Sequence, residues 1–271
     1  MHNHKVFIFL LSLTVAWSIL TPVTRADDEL SDMQQELDAM EQELDNSFEE
    51  GQSPEGILID NQINTPRHHR LNVPLVRQSR GPLCGPASIE MVFRYWGATN
   101  VDQYAVARAI ARQFRETDRY ADFARHLAGT TNVDWSKYPG TGTYYMREFL
   151  ERYGPVENKR IKELPGEAAA ARQIQTEFFE NLKEHLRRGN PVIVHQWWNE
   201  NKTSQHYRVV TGYDDDRKIM YLNDPKLGRI EQNYDTFFIL WKVEEAWLPF
   251  NSIVFNIAGG EQMRKPIRIE L

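Results

Sequence analysis

The stretch from Pro191 to Asp224 reads PVIVHQWWNENKTSQHYRVVTGYDDDRKIMYLND. Its first five residues, Pro191-Val192-Ile193-Val194-His195, form a short apolar run with the composition of a strand. Two more strands are expected over His206–Tyr213 and Lys218–Asn223, joined by the polar turn Asp214-Asp215-Asp216-Arg217. If this hairpin turns about Asp215, His206 and Asp224 face each other across it. Directly opposed residues have Cβ atoms roughly 4.5–5.5 Å apart, at which a carboxylate can accept from an imidazole N–H and fix its tautomer. A turn centred half a residue away moves the pairing by one position.

Helical patterns lie upstream of these strands. Cys84-Gly85-Pro86 leads into Ala87–Trp96, closed by Gly97, with Pro near the start and Gly just past the end as a helix requires. Val106, Ile110 and Phe114 recur at spacing four; Met146, Phe149, Leu150 and Tyr153 end at Gly154; Ile174, Phe178, Leu182 and Leu186 end at Gly189. Ser252–Ile257 reads as a last strand. A run of helices followed by a run of strands predicts an α+β domain with an antiparallel sheet.

Cys84 is the single cysteine of the chain, and the pattern places it at a helix N-terminus. There the macrodipole and the free N–H groups of the first turn favour the thiolate, which makes Cys84 a candidate nucleophile. A nucleophile needs a base and an orienting group, and His206 with Asp224 supplies both residue types. Gln78, six residues before Cys84, carries a side-chain amide that can join the Cys84 N–H in holding an oxygen that becomes negative.

The rest of the chain bounds the function. Met1–Lys5 is a basic start, Val6–Leu20 an apolar stretch of 15, and Thr24-Arg25-Ala26 puts small residues at the third and first positions before a cut at Asp27. Residues 1–26 therefore read as a signal peptide, short of the roughly 20 apolar residues of a membrane span, and the mature protein is expected to be exported, periplasmic or extracellular, with no stable span. Residues 27–50 hold eleven acidic side chains and no Lys or Arg, with Leu30, Met33, Leu37, Met40, Leu44 and Phe48 at heptad-like spacing. Two readings stay open: a short coiled coil that self-associates or docks on a partner, or an acidic arm lying on its own domain. Residues 51–70 read as a linker, 71–260 as the globular domain and 261–271 as a C-terminal tail. The net charge is −6, yet residues 51–271 carry +3 without a basic stripe interleaved with aromatics, which argues against a nucleic-acid partner. With 41% hydrophobic and 26% charged residues the composition is that of a globular protein. His126, His185 and His195 form no metal-ligand spacing and no HExxH occurs, so neither metal nor cofactor is expected. Trp197 and Trp198 either line a substrate groove or pack internally.

Taken together, VPLVRQSRGPLCGPASIEMVFRYWG (73–97), PVIVHQWW (191–198), HYRVVTGYDDDRKIMYLNDPKLG (206–228) and Phe238 with Trp241 resemble the papain-like cysteine peptidases of the bacteriocin-leader-processing type, family thirty-nine of the cysteine peptidases. The resemblance spans residues 71–257. It implies a papain-like fold, with an N-terminal helical part packed on the sheet, and an enzyme that hydrolyses a peptide or protein substrate without a cofactor. It implies Cys84 as nucleophile, His206 as general base and acid, Asp224 as orienter and Gln78 as oxyanion-hole donor. Two features depart from the family's exporter members: their transmembrane and nucleotide-binding parts are absent, and Thr99–Asn190 is longer. Two other functions use the same residue types: an exported adaptor that binds peptides without cutting them, and an acyl transferase using the same triad.

Overall fold

The computed structural model describes residues 65–257 and 268–271. The expected signal peptide, the acidic segment and most of the linker lie outside the described residues. Among the described residues seven strands form one antiparallel sheet: β1 (His68–Arg70), β2 (Val156–Lys159), β3 (Val192–Trp197), β4 (Gln205–Asp214), β5 (Ile219–Asp224), β6 (Gly228–Asn233) and β7 (Ser252–Phe255). Their order is β2-β7-β3-β4-β5-β6, with β1 added to the far half of β4. The helices are α1 (Cys84–Tyr95), α2 (Gln103–Gln113), α3 (Ala121–Gly129), α4 (Thr143–Leu150), α5 (Ala168–Arg187) and α6 (Tyr234–Trp241). Among the described residues no helix is long and apolar enough to cross a membrane.

The central strands β3 and β4 are buried almost throughout because helices cover each face of the sheet, and their buried positions include the polar His195, Gln196, His206, Arg208 and Thr211. Ile193, Tyr207 and Val209 pack with Ile89, Phe93 and Val106 of α1 and α2. The alternating partners Val192, Val194 and Val210 pack with Phe179 and Leu182 of α5 and Phe237 and Trp241 of α6. Period-two alternation thus divides each strand between two cores. The expected α+β architecture, helices packed on an antiparallel sheet, is what the chain adopts.

Helix α1 is the axis of the first core: apart from its first residue and Arg94, every residue in it is buried. Gly97 ends it at φ +95°, a conformation that frees its N–H for Arg94 O and the Ala98 N–H for Phe93 O. Asp102 opens α2 by accepting the Ala105 N–H at 2.7 Å.

Three expectations change. The linker does not reach residue 70: His68–Arg70 is strand β1, paired with Gly212–Asp214, and the chain crosses Gly212 so closely that a Cβ there would lie 2.2 Å from His69 O. The tail is not free at its end, since Ile269 is buried and exchanges hydrogen bonds with the side chain of Asn100. The hairpin turns later than Asp215. Asp214 pairs with Ile219, leaving a four-residue loop in which Arg217 N–H caps Asp214 and Lys218 sits at φ +53°. A bulge between Val210 and Gly212 shifts the register once more, so Val209 faces Asn223. The next step of that ladder brings Arg208, not His206, level with Asp224.

Candidate active site

Leu83, the residue before α1, provides no side-chain cap, so the first-turn N–H groups of the helix are not taken by one. Pro86 has none, which leaves those of Cys84 and Gly85 facing the end of the helix. Gly85 is required there: a Cβ would lie 2.7 Å from the Thr141 side chain, which Tyr138 holds through a 2.7 Å hydroxyl contact. The sulfur of the half-buried Cys84 lies against the His206 imidazole and the N–H groups of Gly85 and Tyr207. Burial pushes the thiol up, but these contacts and the His206 charge outweigh it, and its pKa falls below that of an ordinary cysteine.

His206, the second residue of β4, is buried. Its Nε2 lies 3.1 Å from Asp224 Oδ1, which leaves Nδ1 for the thiol. The pair meets diagonally across the hairpin rather than face to face, a consequence of the later turn. Burial opposes the charged imidazole, yet the bonds to Asp224 and Cys84 raise its pKa above the usual value. Asp224 has no exposed surface. Oδ1 also accepts the N–H groups of Lys226 at 2.7 Å and Leu227 at 2.9 Å, the Asp-Pro turn closing on its own first side chain. Against burial, the His206 bond and charge, the Leu227 N–H and the Arg208 charge hold its carboxyl well below the usual carboxylate range.

Arg208, which the sequence reading missed, takes the other oxygen: Nε to Asp224 Oδ2 is 2.7 Å. Its Nη1 donates to Gln196 Oε1 and Trp197 O, and Nη2 to Trp198 O. An arginine within the apolar strand pattern HYRVV was the available signal, because a buried guanidinium requires acceptors on every side.

Gln78 lies on an extended strap ahead of α1. Its N–H donates to Pro225 O at 2.8 Å, and its side-chain Nε2 donates one proton to Gly81 O at 3.0 Å. An amide nitrogen carries two, so a second proton remains for another acceptor, while Gln78 Oε1 is buried without a partner. Trp198 meets the His206 ring edge-on, with centroids 4.8 Å apart at 88°, and the Lys226 ammonium lies over the indole. Trp198 is therefore the wall of the His206 site, while Trp197 donates to Lys242 O. Cys84, His206 and Asp224 form one connected set, with Gln78 tied to the turn that carries Asp224. Among the described residues no group of three His, Cys, Asp or Glu side chains is placed to hold a metal ion.

A family model described as "Peptidase_C39 like family" matches residues 70–254. No curated protein matches the chain. Among solved structures, the chain is similar to a double glycine motif protease from an AMS/PCAT transporter, solved in complex with the leader peptide (20% identity, TM-score 0.39, 70% of this chain and 94% of that one). It is similar as well to a putative C39-like peptidase from Bacillus anthracis (16% identity, TM-score 0.43, 70% and 97%). A third is xylellain, a cysteine protease from Xylella fastidiosa (13% identity, TM-score 0.40, 71% and 87%).

Proposed function

Because the chain belongs to the Peptidase_C39 like family, we propose that it is a cysteine peptidase that cleaves peptide bonds through Cys84, His206 and Asp224. The observation that carries this reading is the sulfur at the head of α1 engaging an imidazole whose other nitrogen is held by a buried carboxylate. The Cys84 thiolate adds to the peptide carbonyl carbon, and the oxygen that takes up the charge is held by the Cys84 N–H and the Gln78 amide. His206 then gives its Nδ1 proton to the leaving amine as the C–N bond breaks, leaving an acyl thioester. Neutral His206 takes a proton from water, whose oxygen attacks the thioester; the carboxylic acid departs and the thiolate–imidazolium pair returns. Asp224 stays ionised throughout and holds the ring in the tautomer that presents Nδ1 to sulfur. The work is proposed to take place after export, on the strength of the N-terminal signal pattern.

The test is incubation of the protein with a peptide library beside its Cys84→Ala variant. Cleavage confined to the protein with Cys84 is the expected result; cleavage that persists in Cys84→Ala, or none in either, sinks the assignment.

A further inference from the structure

We infer that Gln103, the first residue of α2, is a positioning residue for the Gln78 oxyanion donor; the inference rests on the peptidase reading above. The strap over residues 77–79 has two edges. On one, Gln78 N–H bonds Pro225 O, beside Asp224. On the other, the buried Gln103 carboxamide spans Gln78: Nε2 donates to Arg77 O at 2.9 Å and Oε1 accepts the Ser79 N–H at 2.8 Å. A carbonyl at one residue and an N–H two residues on point the same way from an extended chain, so one planar amide stands in for a neighbouring strand. Gln78 is thus clamped from both sides, and its side chain has one direction left to project.

The clamp is itself anchored to the nucleophile helix. Gln103 N–H donates to Glu90 Oε2 at 2.7 Å, and Glu90 is a buried residue of α1 whose other oxygen meets Arg94 at 2.5 Å. A connected path runs from the helix bearing Cys84 through Glu90 and Gln103 to Gln78, and from Gln78 to the turn of Asp224. The strap is pinned again where Arg77 Nη1 donates to Lys226 O. With the clamp in place the backbone that carries the donor is fixed relative to α1. Without Gln103, Arg77 O and the Ser79 N–H lose their partners and the donor drifts; displacement on the scale of 1 Å costs about a hundredfold in rate.

Two reagents that meet the same sulfur separate positioning from general damage. p-Nitrophenyl acetate transfers its acetyl group: a carbon–sulfur bond forms, the carbon–oxygen bond breaks, p-nitrophenolate leaves with the electron pair, and the carbonyl oxygen gains charge on the way. Iodoacetamide alkylates sulfur by direct displacement of iodide and develops no oxyanion. Gln103→Met is expected to slow acetylation of Cys84 about tenfold or more while changing alkylation less than twofold. Gln78→Ala is expected to show the same split, and Gln103→Met to add little to it in the double variant. If Gln103→Met fails to fold, Gln103→Glu keeps the acceptor for Ser79, loses only the donor to Arg77 and is expected to give the same split to a smaller degree. Equal loss in both reactions, or full additivity with Gln78→Ala, overturns the inference. If Cys84 of the unsubstituted protein reacts with both reagents no faster than a free thiol, it is the peptidase reading that has failed, and this inference falls with it.

Discussion

Arg208 Nε lies 2.7 Å from Asp224 Oδ2, an ion pair in which the side chains are 2% and 0% exposed. It leaves one oxygen of the carboxylate to His206 and the backbone, and the other to a cation that is itself saturated by Gln196 and two carbonyls. Arg208→Met strips one partner from a buried charge, and such losses cost about 3–5 kcal/mol. A large fall in the urea midpoint is expected. Arg208→Lys is not expected to restore it, because a point ammonium cannot serve acceptors fixed by a planar fork. A midpoint within experimental error of the parent protein in either variant refutes this.

Asp224 is ionised in the folded protein below the pH at which it protonates when unfolded. Its contribution to stability is therefore present above the ordinary value of 3.8 and is lost as pH falls beneath it. Urea midpoints measured from pH 5 to pH 3 should drop in the parent protein. Asp224→Asn should start lower at neutral pH and lose less over that interval; parallel curves would refute the assignment.

His195 acts in the same direction over a higher range. It is buried, stacks on Tyr207 with ring centroids 4.7 Å apart, and has an Nδ1 without a partner. Burial, then the charges of His206 and Arg119, lowers its pKa from 6.5 to about 3. The unfolded chain binds this proton between those values and the folded one does not, so stability declines as pH falls from 6.5 towards 3, by at most about 1.4 kcal/mol per unit. His195→Phe keeps the stacked ring and should flatten the decline between pH 6 and pH 4, measured by thermal unfolding.

Strand β1 rests on the bare Cα of Gly212. Gly212→Ala drives a methyl group into His69 O and Arg70, and either β1 leaves the sheet or β4 shifts, at a cost of about 1–3 kcal/mol. Limited tryptic digestion is expected to cut faster after Arg67 and Arg70 in the variant, because a detached strand is open to the protease. Unchanged digestion would mean that β1 is held elsewhere.

Several elements were legible in the sequence: α1, with Cys84 at its head and Gly97 at its end, the apolar strand β3, and the hairpin of β4 and β5. Helix α6, YDTFFILW, is apolar on nearly every side and carries no stripe to mark it. Strands β1 (HHR), β2 (VENK) and β6 (GRIEQN) are polar pieces recruited by pairing, which no local pattern announces. The meeting of His206 with Asp224 was foreseen for a partly mistaken reason, since long side chains bridge a diagonal as well as a direct pair. Arg208 and Gln103 were not foreseen, because their roles depend on burial and on backbone groups remote in the sequence.

The central claim, an activated sulfur paired with His206, is tested most directly by the rate of iodoacetamide alkylation against pH. Cys84 is the only thiol in the chain, so the label reports one site. The expected profile has its midpoint below the ordinary thiol value of 9.0 in the parent protein and moves up in His206→Ala. A midpoint at the ordinary thiol value in the parent protein, or one that does not move when His206 is removed, would contradict it.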